Sequence, residues 1–264
     1  MNMKNALILT LAALIATTVP SGAIAEEEPP PPPWSVTVEV SASETFLADY
    51  NGLIWFDGPV IQTSTTIAHS SGFYLNLWTS TGTDGKWSAD WDDELDVNVG
   101  WAGPVGLAGI QADLSVGYWD CFQVGSPQND YTAANIIFSR PFEMGKWKVT
   151  PSALAQFVWA VTDETVMADG TVSDSTGGSV WGVNVKIDRD LCRFAAASAT
   201  TGVYFDGGSF GYEDAVIWES ALSLDWKIGE RLKLSLPSLR VSSPLASTDR
   251  DTVWVWGTAL TWTF

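Results

Sequence analysis

Between residues 34 and 264, large or apolar side chains recur at every second position, segment after segment. The connections between segments alternate strictly between short and long. In ELDVNVGW, Leu95, Val97, Val99 and Trp101 fall on one side and Asp96, Asn98 and Gly100 on the other. VWGVNVKID opposes Trp181, Val183, Val185 and Ile187 to Gly182, Asn184, Lys186 and Asp188 in the same way. A period of two is the mark of a strand with one apolar face. Strands are expected at 34–46, 60–69, 73–79, 94–102, 107–119 and 131–140, and then at 147–161, 179–188, 193–206, 216–227, 232–242 and 252–264. Short connections fall at 70–72, 103–106, 141–146, near 190 and at 229–231. Long polar ones fall at 48–59, 80–93, 120–130, 162–178, 207–215 and 243–251.

An outer-membrane barrel joins its strands by short turns on one side and long loops on the other, with strands of about 9–11 residues. A soluble β-sandwich has no reason to lengthen its connections at one end only. The expected fold is all-β, an antiparallel up-and-down transmembrane β-barrel of about twelve strands. A count of ten or fourteen stays open. Pro237 predicts a bulge or kink in the eleventh strand, and ESALSLDWKIGERL also carries an amphipathic-helix periodicity.

The first 25 residues place Lys4 before an apolar run and end in Ala23-Ile24-Ala25, the layout of a cleaved secretory signal peptide. Residues 26–33, EEEPPPPP, read as an extended acidic linker, which leaves 34–264 as the barrel. Without Lys4 the chain carries 12 basic against 31 acidic residues, a charge of −19, which argues against nucleic acid or anionic lipid as a partner. Fifteen tryptophans exceed what a core of this size needs, and tryptophan favours membrane interfaces. The final strand alternates to Trp262 and Phe264, near the interface on the side of the short turns. Both termini are then expected on the periplasmic side.

The motif Ser71-Gly72-Phe73-Tyr74 with Trp78, followed by Glu94-Leu95-Asp96 and Trp101, resembles the Gcw_chp, or TorF-type, family of bacterial outer-membrane proteins. The resemblance spans roughly residues 45 to 120, and the loop DGKWSADWDDE departs from it. It implies an outer-membrane location more than an activity, because the family's function is itself poorly defined. Separately, the aromatic strand end at Trp262 and Phe264 resembles the C-terminal signal that bacterial outer-membrane proteins present to their barrel-insertion machinery, which that resemblance implies as a partner alongside the outer-membrane lipid.

With the apolar faces turned to lipid, the lumen is expected to receive Glu39, Gln62, Asn76, Asp96, Asn98, Gln111 and Asp113 from the early strands. The later strands add Lys148, Gln156, Asn184, Lys186, Glu219, Asp225, Lys233 and Arg240. Acids and bases partly segregate, which suits a porin-like passive channel for small solutes or ions, with cations preferred. The competing reading is a closed structural or adhesion barrel, its charges paired across the lumen and its loops the working surface. Asp84, Asp90, Asp92, Asp93 and Glu94 crowd one loop. Their spacing does not fit a calcium loop, so we expect no metal site but a solvated acidic rim that concentrates cations. His69, the one histidine, flanks a short turn far from the outer leaflet, so no catalytic residue, enzyme activity or cofactor is expected. Cys121 and Cys192 fall at opposite ends of the barrel, too far apart for the Cα separation of about 7 Å that a disulfide tolerates.

Overall fold

The computed structural model describes residues 33–83, 93–106, 109–121, 130–162, 164–166, 172–174, 177–246 and 250–264. The main sheet has thirteen strands, of which one, Phe142–Met144, is a three-residue extension beside a turn. The other twelve are β1 (Trp34–Ser43), β2 (Val60–His69), β3 (Phe73–Gly82), β4 (Glu94–Pro104), β5 (Gln111–Cys121) and β6 (Tyr131–Ser139). They continue as β7 (Trp147–Ala160), β8 (Gly178–Cys192), β9 (Ala195–Asp206), β10 (Ala215–Lys227), β11 (Leu232–Ala246) and β12 (Val253–Thr263). Each pairs antiparallel with its sequence neighbours, and β12 pairs back onto β1 with Val38 opposite Trp262 and Ser43 opposite Gly257. The sheet is closed, and closure removes the unpaired edges that an open sheet would expose.

Most boundaries follow the alternation, and the departures have local causes. β1 ends at Ser43, short of the expected Phe46, because the chain bends inward there, with Ser43 Oγ donating to Thr45 O at 2.9 Å. β5 begins at Gln111, four residues late. β8 runs on to Cys192 through a bulge between Asp190 and Cys192, so its turn lies beyond the expected position near residue 190. The register of β11 against β12 slips between Ser235 and Ser238, around Pro237, as a residue without an N–H requires. The ESALSLDWKIGERL segment is strand through Lys227. Its polar positions can face a lumen, which removes the need for helical amphipathicity.

Val97, Val99, Val116, Val183, Val203 and Leu222 are exposed on the outer wall. Aromatic side chains frame this apolar band at both ends. Trp34, Phe73, Trp147, Phe194, Trp226 and Trp262 lie near the short turns, and Trp159, Trp181, Phe205, Trp254 and Trp256 near the long loops. Water would make such a surface costly, whereas lipid does not, and the rings sit where a membrane interface belongs. Among the described residues no helix is long and apolar enough to cross a membrane.

Candidate functional site

The connection between β1 and β2, expected as a polar external loop, folds into the barrel instead. Phe46–Leu47 and Ile54–Phe56 pair as a small hairpin. At its tip the Asn51 Oδ1 accepts from the Leu53 N–H at 3.1 Å, and Tyr50 and Gly52 both have φ of 69°. Phe46, Leu47, Ala48, Asn51 and Leu53 are all buried. The physical reason lies in the wall. At the loop end many inward positions of β6–β10 are apolar: Tyr131, Leu154, Val158, Val180, Tyr204 and Ile217 are buried. An apolar inner face needs a covering layer, and the hairpin supplies it.

Arg240 of β11 holds the hairpin in place. Its guanidinium donates to Leu47 O and Ala48 O, each at 2.9 Å. It also pairs with Asp49 Oδ1 at 2.6 Å and with Glu219 Oε2 of β10 at 3.1 Å. A planar fork of five donors suits two carbonyls and two carboxylates at once. Burial, and after it the charge of Asp49, push the Tyr50 phenol well above its ordinary range, so it stays neutral where its ring packs 5.0 Å from Tyr204.

A second inward segment joins the hairpin at the loop end. Asp206 accepts from the Ser209 N–H at 2.8 Å and pairs with Arg250 at 2.6 Å, and Arg250 also donates to Glu213 O at 2.7 Å. Both members of this ion pair are buried. They fix the 207–214 connection so that Phe210, held at φ 60°, points inward. Its ring meets Trp55 at 5.0 Å, Tyr131 at 4.8 Å and Trp119 at 6.3 Å. With Ala48, Leu53, Cys121 and Val158 these rings form an apolar plug.

Below the plug lies a cavity of about 930 Å³ that runs from Phe46, Asp49, Trp55 and Phe210 at one end to His69–Gly72 and Ala102–Pro104 at the turn end. Gln62, Asn76, Asp96, Asn98, Asp113, Gln156 and Arg240 line it. Asp113 accepts from the Tyr74 hydroxyl at 2.7 Å. The other expected lumenal groups gather elsewhere. Glu39 accepts from Thr261 Oγ1 at 2.9 Å, and Asn184 accepts from Ser152 at 2.6 Å. Lys186 lies 3.3 Å from Asp188, Lys233 3.9 Å from Asp225, and Lys148 4.0 Å from Glu143. Gln111 begins β5 at the turn end and does not line the cavity. These ion pairs join neighbours on one wall or one turn; none of them reaches across the lumen.

One expectation needs correcting. Asp93 and Glu94, expected in a solvated acidic rim, are both buried. Asp93 accepts from Thr81 Oγ1 at 2.5 Å, and Glu94 starts β4 on its inward face. Asp84, Asp90 and Asp92 lie outside the described residues. The tryptophans divide between the two faces: Trp55, Trp78 and Trp119 turn inward and line the cavity. Parity carries the signal for two of them: Trp78 lies two residues beyond Asn76, and Trp119 six beyond Asp113. Cys121 is buried at the loop end and Cys192 exposed at the turn end. His69 Nδ1 lies 2.7 Å from Ser71 Oγ and also accepts the Ser71 N–H at 3.2 Å, a contact within one exposed turn, with Trp34 packed edge-on at 4.6 Å.

With this geometry in view, comparison with known proteins places the chain. Residues 33–260 match the family model described as bacterial protein of unknown function (Gcw_chp). The chain belongs to the Gcw_chp family. Among solved structures, this Gcw_chp protein is similar to the NanC porin, with a TM-score of 0.55 and 8% identity over 85% of this chain and 98% of that one. An outer-membrane channel from Pseudomonas putida F1 gives 0.55 and 11% identity over 92% and 100%. The β domain of the Bordetella autotransporter BrkA gives 0.53 and 14% over 88% and 99%. At these identities the likeness is one of fold, and the fold is that of outer-membrane porins and channels. Compared with curated proteins, the chain matches none.

Proposed function

We propose that this Gcw_chp protein is a porin-like passive channel of the bacterial outer membrane for small solutes or ions, with a preference for cations. Both termini and the short turns would face the periplasm, and the long loops the exterior. The observation that carries this reading is the unequal lining of the cavity. Asp49, Glu94, Asp96, Asp113 and the amides of Gln62, Asn76, Asn98 and Gln156 line it; Arg240, which also lines it, is paired with Asp49 and Glu219, and Lys186 and Lys233 lie outside it beside Asp188 and Asp225. Carboxylates that line a narrow low-dielectric path raise the local concentration of cations.

The reversal potential in planar bilayers under a potassium chloride gradient tests this. The wild type is expected to be cation-selective, and the double variant Asp96→Asn/Asp113→Asn to move the K⁺/Cl⁻ permeability ratio toward one. An anion-selective wild type, or a ratio indifferent to both substitutions, would contradict the proposal. The aromatic plug favours a second reading, a barrel closed at rest that acts through its loops, and a folded barrel that carries no current under any voltage would support it.

A further inference from the structure

Asp96 stands in register with Trp78 on β3 and with Trp119 on β5. Strand alternation turns all three inward, and all three line the cavity. One inward step closer to the plug is Glu94, which is 6% exposed and accepts from the Cys121 thiol at 3.4 Å. Asp96 Oδ1 is buried with no hydrogen-bond partner among the described residues. So is Oγ of the fully buried Ser80, which is paired with Glu94 across β3 and β4.

Among the described residues no basic side chain forms an ion pair with Glu94 or Asp96. The lumenal bases pair with Asp49, Asp188, Glu219 and Asp225 instead. Two neighbouring carboxyl groups withdrawn from water, in contact with each other and without a basic partner, draw positive charge to themselves, as a shared proton or as a bound cation. The indoles in register on both sides add attraction for the same kind of ligand. The nearby amides are engaged with the wall: Gln156 donates to Asn135 at 2.9 Å, and Asn76 donates to Ser64 and Thr66 at 2.9 Å. What this wall offers a ligand is therefore mainly acceptors. Among the described residues no group of three His, Cys, Asp or Glu side chains is placed to hold a metal ion.

We infer that the Trp78–Asp96–Trp119 row, with Glu94 behind it, binds small organic cations that carry a primary ammonium group. An ammonium N–H donates to the Asp96 carboxylate and the alkyl chain lies against the indoles. This rests on the cation-preferring channel reading and names the solute class of that same lumen. The site touches the plug directly, because the Trp119 ring stacks 6.3 Å from Phe210.

Calorimetric titration of the full chain, folded in detergent micelles, tests the inference with 1,4-diaminobutane, potassium chloride and glucose as probes. Diaminobutane is expected to bind in preference to the other two. Asp96→Asn should weaken it at least about tenfold, the loss of one charge-assisted hydrogen bond, while Glu230→Gln on a short turn leaves it unchanged. Heat-dependent gel mobility confirms that each variant is folded. If Asp96→Asn does not fold, Trp78→Leu should show a loss of the same direction. Undetectable diaminobutane binding, equal affinity in the folded variants, or glucose binding as tightly would overturn the site. A barrel that binds diaminobutane but carries no current overturns the channel and leaves the site standing. One that passes cations without binding diaminobutane overturns the site alone.

Discussion

At the scale of single residues, Arg240 does the most to set the internal architecture. It satisfies two hairpin carbonyls and two carboxylates, so its removal strands four polar groups inside the barrel. Arg240→Met is expected to cost about 3 kcal/mol, read from urea unfolding in micelles. Arg240→Lys should recover only part of that, because a point charge cannot reach four acceptors at fork geometry. Gly72 makes a second residue-scale case. Its φ is +97°, and a Cβ there would lie 2.4 Å from Ala102 O and 2.7 Å from Trp101 Nε1. Gly72→Ala should therefore destabilise the barrel by about 1–3 kcal/mol, and an unchanged unfolding midpoint would show that the turn can relax.

At the scale of elements, the hairpin within residues 44–59 fills part of the lumen. Gly52 at its tip has φ of 69°, and a Cβ would meet Ser242 Oγ at 2.8 Å and Ile217 at 3.4 Å. Gly52→Val should lift the tip off β10 and β11 and raise amide exchange across residues 46–56, with little change in the strands. Exchange that stays slow would mean that the tip is not seated by this contact. The strands themselves were legible, because lipid on one side and a lumen on the other enforce a period of two. The hairpin was not. ADYNGLIWF carries an Asn-Gly turn signal followed by four apolar residues, Leu53 to Phe56, which mark a segment that packs but not where, because its destination depends on an apolar inner wall assembled from five other strands. Tyr131, Leu154 and Ile217 lie far apart in sequence, and only closure brings them to one place. Asp93 and Glu94 were misread for a related reason: an acidic run looks solvated until the register shows which of its members begin a strand on the inner face.

At the scale of the whole molecule, the barrel combines an outward apolar band, a polar cavity open toward the turns and an aromatic plug at the loops. Asp96 and Asp113 lie on the same lumenal wall. The residue opposite Asp96 on β5 is Trp119, six residues beyond Asp113, which sets the two acids about 20 Å apart at about 3.3 Å per residue. A cation would thus meet one carboxylate near the mouth and another below the plug, an arrangement suited to stepwise passage. Parity read from the sequence put both acids in the lumen, and the plug that stands beyond them came from tertiary packing.

Single-channel conductance of the wild type beside Phe210→Ala, in bilayers of one composition, tests the plugged-channel account most directly. The account predicts small or brief openings for the wild type and larger, longer-lived steps once the central ring of the plug is removed. Silence in both proteins, or identical conductance, would contradict it.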